Sequence, residues 1–476
     1  MILANRVNLA AVLAAFVALA GVDASAMQDA AGPKKKKPST QPTTTTSAPT
    51  TTSTSTTSST SAPSEEEADR FLAVVGGEVH TVTGPVLEAA TVLSKNGKIV
   101  AIGADVKLPP ECEVVDASGK RVYPGLIAAG AFGFHEGASP DDETNVFGLN
   151  LRIGNAVGIT TALSGNNVAK LTFGSAEDIL IRQNAYMALN LPRRKPLVRA
   201  RLRADLERVR DYVRKFREYG VQKRTDKDAK PPDKAWLKGK FENYRKLLAH
   251  ETVAVTNAGP VQQLRDLAAL ARHFDFQLVI RGAYEGWLAA DELGRAGVDV
   301  ILTPRADITP DEHYSRQTGS TIENARILHD AGVTVAVVPR IPVIFTWGVT
   351  GQDLMHLNME AAFAVRGGMS NDDALRTITI DAARILGVDE RVGSLEVGKD
   401  ADLIVTDGDV LHYMTLVHYT VVNGRIAYDK SADTLFAHIR PDGKPEVAQF
   451  DDIWPRRLEW PAAELRDPAE APRDSP

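Results

Sequence analysis

Short apolar runs alternate with amphipathic stretches through the middle of the chain. The apolar runs are brief and rich in β-branched residues, and they lie at 159–163, 252–256, 276–280, 298–303 and 333–338. Stretches with helical periodicity, such as 261–273 and 287–296, separate several of them. This alternation predicts right-handed βαβ units and a parallel sheet. The length of the segment 124–387 suits a TIM-like (β/α)8 barrel, a fold that takes about 250 residues.

Both flanks of this segment carry strand patterns instead. Segments 71–84 and 90–103 read as strands before it, and 401–406 and 419–428 read as strands after it. Asn-Gly pairs, which favour hairpin turns, interrupt the second and the last of these segments. We therefore expect an α/β protein in which 70–123 and 388–430 form one small composite β-sandwich domain beside the barrel.

A highly charged stretch at 193–250 interrupts the barrel pattern. It predicts a solvated helical insertion, and a binding surface or a site of subunit contacts is the alternative.

The first 69 residues have the pattern of an export signal followed by a linker. Arg6, an apolar run at 9–22 and Ala24-Ser25-Ala26 predict a signal peptide over 1–26. A membrane anchor is the alternative, but a helix needs about 20 apolar residues to cross a bilayer, so we expect no transmembrane span after cleavage. The Thr/Ser/Pro-rich segment 27–69 predicts a disordered linker, either a plain spacer or a glycosylated or envelope-tethered stalk. We expect an exported protein in the periplasm or cell envelope of a bacterium, with 431–476 as a C-terminal extension.

Composition removes several classes of function. The 55 basic and 61 acidic residues give a net charge of -6, which argues against a nucleic-acid partner. Cys112 is the single cysteine. The chain therefore has no internal disulfide, and a zinc site built from several thiolates is excluded.

Several motifs resemble those of the amidohydrolase superfamily, and most closely its exported members related to imidazolonepropionases. Val122-Tyr123-Pro124-Gly125-Leu126-Ile127 is similar to the strand by which the chain enters that family's barrel, and 158–161 is similar to the next strand. The segments 361–370 and 382–388 are similar to the family's last helices, and the long string 392–405 is similar to its return to the small sheet domain.

The resemblance implies a hydrolase that uses zinc or another divalent metal. Such members place two histidines after the first barrel strand, further histidines on the fifth and sixth strands, and an aspartate on the eighth. The metal lowers the pKa of a bound water to about 7, and the aspartate takes the proton of that water.

This chain departs from the family at each of those positions. The residues that stand there are Gly130, Phe132, Asn257, Arg281 and Arg340. No imidazole remains among them, and a guanidinium cannot act as a base because its pKa is above about 12. We therefore expect no metal cofactor and no confident catalytic residue. The two arginines and the asparagine predict instead a pocket for a small anionic or amide-bearing ligand.

Three functions stay open. The first is an exported amidohydrolase-like protein that has lost metal-dependent hydrolysis and acts as a ligand-binding subunit, as a homo-oligomer or as the partner of an active relative. The second is an active hydrolase of non-peptide carbon-nitrogen bonds, which would need a metal-free mechanism or a relocated site at His135, Glu136 or His313. The third is a structural envelope protein. The remaining histidines, His356 among them, are predicted to be surface or packing residues.

Overall fold

The computed structural model describes residues 69–135, 140, 144–192, 195–345 and 351–433. The predicted signal peptide, the linker up to residue 68, Glu136 and the extension from residue 434 lie outside the described residues.

The described chain contains strands at both flanks and alternating strands and helices between them. The strands are β1 Phe71–His80, β2 Val86–Lys95, β3 Lys98–Gly103, β4 Glu113–Asp116, β5 Arg121–Pro124, β6 Leu126–Ala131, β7 Ile159–Ser164, β8 Asn167–Lys170, β9 Leu180–Arg182, β10 Tyr186–Ala188, β11 Val253–Ala258, β12 Leu278–Gly282, β13 Val298–Leu302, β14 Val335–Val337, β15 Leu403–Thr406, β16 Val417–Val422 and β17 Arg425–Asp429. The helices are α1 Leu149–Ala156, α2 Pro196–Thr225, α3 Lys240–Leu248, α4 Val261–Phe274, α5 Ala290–Arg295, α6 Asn324–Asp330, α7 Leu357–Arg366, α8 Asn371–Arg376 and α9 Ile380–Leu386.

The two flanks build one sheet together. Its strand order is β17-β16-β15-β5-β1-β2-β3, with β4 paired to β1, and the antiparallel contact of β5 with β15 joins the two flanks. The turn between β2 and β3 is the Asn96-Gly97 pair, whose φ angles of 48° and 81° are the positive values that such a hairpin requires. Alternate residues of these strands face one apolar core that includes Leu72, Val92 and Leu403.

The parallel strands lie in two groups. β6 pairs with β7, and β10 to β14 form a continuous parallel sheet. The β8–β9 hairpin pairs antiparallel to β7 and follows it before β10 begins. Within the described residues, seven parallel strands are therefore divided between two sheets, and the predicted eight-stranded closed ladder is not formed as one sheet. The α/β class is as predicted.

The inner face of these strands is apolar. Ile127, Val279 and Ile301 belong to one buried cluster, and residues of α9 such as Ile385 pack into it. Helix α4 lies outside, with its apolar side in a second cluster. Gly125 lies between β5 of the mixed sheet and β6. Only glycine fits there, because a Cβ on Gly125 would lie 2.1 Å from the Thr160 hydroxyl oxygen.

The charged stretch is helical at both ends. It contains α2 and α3, separated by a non-helical segment at 226–239 that includes Pro231 and Pro232. Within the part of the chain that the structure describes, neither α2 nor any other helix is both long and apolar enough to cross a membrane.

A buried ion network ties the parallel strands to the mixed sheet. Lys170, at the end of β8, is fully buried, and its Nζ lies 2.7 Å from Asp400 and 2.9 Å from Asp402. It also donates to the side-chain oxygen of Asn423. Asp400 is shared with Lys98 and Arg391, and these cations hold its pKa below the usual value although burial opposes ionisation. The network therefore joins β8 to the segment that leads into β15.

Candidate functional site

The positions predicted from the motifs lie at the carboxyl ends of four parallel strands. Gly130 lies near the end of β6 and Phe132 follows it. Asn257 and Arg281 stand opposite each other in the pairing of β11 with β12, and Arg340 follows β14. In parallel α/β folds this edge carries the active sites.

Arg281 is a partly buried cation. Its guanidinium carbon lies 5.8 Å from the centre of the Tyr186 ring. Within the described residues no carboxylate forms an ion pair with Arg281, and its buried Nε has no hydrogen-bond partner. Burial lowers the pKa of Arg281, which shows that the charged form is poorly solvated. A desolvated guanidinium of this kind favours an anion.

Tyr186 forms a fixed platform beside this cation. Its hydroxyl donates to the carbonyl of Ile385 at 2.7 Å, and Asn166 holds its backbone N–H and carbonyl at 3.0 and 2.9 Å. Burial raises the pKa of Tyr186. The phenol therefore stays neutral and is not available as a base near neutral pH.

The other motif positions are open to solvent. Asn257 and Arg340 are exposed, and Arg340 has no ion pair in the described part of the chain. The backbone N–H of Phe132 donates to the carbonyl of Pro342 at 2.8 Å, while its side chain is 41% exposed. A Cβ on Gly130 would meet no heavy atom within 4 Å, so there is room for a side chain that the sequence does not supply.

A cavity of about 1000 Å³ lies in the mixed sheet, and one of about 540 Å³ lies beside Phe132. The smaller cavity is lined mainly by polar residues, which are His135, Ser164, Asn166, Asn167, Gln183 and Asn184, together with Phe132, Gly133 and Gly165. Asn166 joins it to the platform because the same side chain clamps Tyr186. Asn166 therefore links the smaller cavity to Tyr186, the residue whose ring lies beside Arg281.

The structure does not bring the residues of the predicted relocated site together. His135 is buried, and its Nε2 lies 3.0 Å from the carbonyl oxygen of Lys170. The side chain of His313 is 95% exposed and pairs with Asp311 at 2.9 Å. Glu136 is outside the described residues. Among the described residues, no group of three His, Cys, Asp or Glu side chains is arranged to hold a metal ion.

Sequence reasoning missed an aspartate–histidine pair after β14. Nδ1 of His356 lies 2.6 Å from a carboxylate oxygen of the buried Asp353, whose other oxygen accepts the N–H of Phe345 at 3.0 Å. Burial disfavours ionisation of Asp353, but these hydrogen bonds hold its pKa below the usual value. The signal in the sequence was an aspartate three residues before a histidine, just beyond the last parallel strand.

A second ion pair follows in the same region. Arg305, after β13, donates from Nε to the buried Glu360 of α7 at 2.9 Å. Burial raises the pKa of Glu360 even though this guanidinium opposes the shift. Arg305 is thus neutralised within the protein, whereas Arg281 is not neutralised by any described residue.

The partly buried Asp299 on β13 should make the free energy of unfolding depend on pH. Burial raises its pKa from 3.8 to about 6, with the hydrogen bond from Thr334 opposing the shift and Asp381 adding to it. The folded state therefore favours the protonated acid, and its stability falls as pH rises from about 4 to about 6. Asp299→Asn should raise the free energy of unfolding by up to about 3 kcal/mol above pH 7 and by nothing below about pH 4. Urea unfolding at several pH values measures this, and an equal effect at both ends would contradict it.

Comparison with known proteins finds similarity over parts of the chain. Residues 286–437 match the model of the amidohydrolase family. The imidazolonepropionase of Thermoplasma volcanium is 31% identical over 113 residues, which are 24% of each chain. An amidohydrolase of Hapsidospora irregularis, tasK, is 26% identical over 204 residues, 40% of this chain and 20% of that protein. Over the segments that they cover, these matches support the amidohydrolase superfamily.

The solved structure of an amidohydrolase from Thermotoga maritima supports the same fold for this amidohydrolase-like chain. The two align with a TM-score of 0.54 and 23% identity over 75% of this chain and all of that one. This likeness implies a TIM barrel with an additional domain. The sequence matches span only about a quarter or less of the curated relatives' length. The structural likeness therefore supports the fold, and the activity is a separate question.

The family's divalent metal does not fit the residues at its usual positions in this amidohydrolase-like chain. Gly130 lies near the end of the first strand and Phe132 follows it, while Asn257 and Arg281 lie on two of the strands that carry ligands elsewhere in the family. A guanidinium is a cation without a lone pair to donate. The guanidiniums of Arg281 and Arg340 near one divalent ion would oppose its binding by several kcal/mol at an effective dielectric constant of about 20. The residues at these positions therefore do not suit chemistry that depends on the family's metal.

Proposed function

We propose that this protein binds a small carboxylate or another small anion at the strand ends where related proteins hold a metal. It acts as a ligand-binding subunit of amidohydrolase fold and does not carry out metal-dependent hydrolysis. The observation that carries this proposal is Arg281, a partly buried guanidinium without a carboxylate partner among the described residues.

The surroundings of Arg281 support an anion of small size. A guanidinium binds a carboxylate through two parallel N–H donors, and such charge-assisted bonds are about twice as strong as neutral ones. Asn257 lies directly across the strand pair and offers an amide donor. Arg340 at the end of β14 adds positive charge at the same edge. These donors and positive charges would bind a carboxylate attached to a short polar group.

Calorimetric titration of the full-length protein tests this proposal. Acetate, succinate and phosphate supply the charge, and acetamide supplies nearly the shape of acetate without the charge. We expect at least one of the three anions to bind and acetamide not to bind. Equal affinity for acetate and acetamide, or no binding of any anion, would overturn the proposal.

Hydrolysis of a non-peptide carbon-nitrogen bond without a metal is the second candidate function. The pair Asp353 and His356 favours it, because a buried carboxylate that holds one imidazole nitrogen leaves the other to act as a base. The imidazolonepropionase relatives suggest a cyclic amide as substrate. Metal-independent turnover of imidazolonepropionate that is lost in His356→Gln, with the fold retained, would establish this function. Absence of turnover would remove it.

Export and assembly belong to the same proposal. The N-terminal signal pattern supports a periplasmic or envelope location, and the loss of the usual ligands supports pairing with an active relative or with a second copy of the chain. Fractionation of cells and light scattering of the purified protein measure these two properties directly.

A further inference from the structure

The chain is acidic overall, but residues 196–240 form a strongly basic segment. Residues 196–240 contain fifteen lysines and arginines but only seven aspartates and glutamates, whereas the whole chain has a net charge of -6. The structure places most of this charge on α2, the long helix of the insertion.

The first half of α2 is held firmly against the protein. Leu202, Leu206 and Val209 are buried along one side of the helix. The guanidinium of Arg208 lies 4.1 Å from the centre of the Trp236 ring, and Lys240 pairs with Asp205 at 2.5 Å. The direction of the helix is therefore fixed by packing.

The second half of α2 extends beyond that packing. Every residue from 214 to 225 is exposed except the partly buried Tyr219. The cations in this half are Arg214, Lys215, Arg217, Lys223 and Arg224, and the one acidic side chain among residues 214–225 is Glu218. Within the described residues, only Arg214 of these five cations forms an ion pair, at 3.3 Å with Asp211.

Large apolar side chains are exposed among these cations. Phe216 is 52% exposed and Val221 is 66% exposed. Phe216 continues, at helical spacing, the side of α2 that is buried nearer its N-terminus. Exposed apolar side chains on a basic helix are typical of helices that lie on a membrane surface.

We propose that the second half of α2 docks the protein on an anionic lipid bilayer. Its cations contact lipid phosphates, and Phe216 and Val221 enter the boundary between headgroups and acyl chains. Charge complementarity selects an anionic surface. The exposed aromatic and aliphatic side chains favour lipid over a soluble polyanion, because a polyanion offers no acyl phase to receive them. This inference does not depend on the ligand proposed for Arg281.

Co-sedimentation of the full-length protein with vesicles tests the docking surface. Binding to vesicles that contain phosphatidylglycerol and phosphatidylcholine is expected, with little binding to phosphatidylcholine alone. The triple variant Arg214→Gln, Lys215→Gln, Arg217→Gln should lower the partition coefficient about 100-fold, because each basic residue near an anionic surface contributes about fivefold. Phe216→Ser should lower it without changing the net charge.

The matched control is Lys227→Gln, Lys230→Gln, Lys234→Gln, which removes the same charge from the segment after α2, and it should weaken binding much less. Equal loss in both triple variants would show a diffuse charge effect and overturn the docking surface. Failure of the wild-type protein to bind anionic vesicles would also overturn it. Binding to heparin with no effect of Phe216→Ser would replace lipid by a polyanionic polymer as the partner.

Discussion

Lys170→Met should lower the free energy of unfolding by about 3–5 kcal/mol, because it leaves buried carboxylates without their central cation. The ammonium group is fully buried and lies within 3 Å of both Asp400 and Asp402. Methionine fills a similar volume and carries no charge. Urea unfolding at pH 7, followed by circular dichroism, measures the change.

Lys98→Met is the matched control for this variant. Lys98 contacts the same Asp400, but its side chain is 48% exposed. Loss of this half-exposed lysine should cost less than loss of Lys170, because Lys170 and Arg391 still neutralise Asp400. The double variant Lys170→Met, Asp402→Asn should recover part of the loss, because Asp400 still has Lys98 and Arg391 as partners. Equal effects of the two lysine variants would show that burial of Lys170 carries no special weight.

Arg281→Gln should weaken the binding of a carboxylate by about 10- to 100-fold, because a hydrogen bond to a charged group contributes about 1.5–3 kcal/mol. The same change should leave the ligand-free protein as stable or more stable, since it removes a poorly solvated charge without a described partner. Arg281→Lys should restore little affinity, because an ammonium lacks the paired donors of a guanidinium. Calorimetric titration and thermal unfolding measure the two effects in parallel.

Arg272→Gln is the control for that pair of measurements. Arg272 is exposed in the last turn of α4 and carries the same charge. It should change neither anion affinity nor stability by more than a small amount. A loss of affinity in Arg281→Gln that came with unfolding would instead assign Arg281 a structural role.

Much of the fold could be predicted because the patterns are local. The strand runs at both flanks and the Asn96-Gly97 turn appear where periodicity and turn chemistry indicated them. The alternation of strands and helices correctly indicated parallel pairing from β11 to β14. The division of the parallel strands into two sheets was not predicted, because β8 and β9 are only four and three residues long and have no clear strand pattern.

The site could be predicted only as a set of positions. The motifs directed attention to Arg281, and strand pairing places it opposite Asn257. Its burial and its lack of a described carboxylate partner depend on residues far apart in the sequence. The Lys170 network was missed for the same reason, because its acidic partners lie more than two hundred residues away. His356 was predicted to be a surface or packing residue, because the Asp353 spacing alone does not show that this aspartate is buried and contacts the imidazole.

The metal content of the purified protein distinguishes a lost metal site from a relocated one. The full-length chain should be produced with zinc, manganese and iron supplied, and analysed by elemental mass spectrometry after dialysis. We expect less than about a tenth of an equivalent of any of these metals, because two arginines and an asparagine stand where the family has metal ligands. Close to one equivalent, lost in His135→Ala or His313→Ala, would contradict it and establish a relocated metal centre.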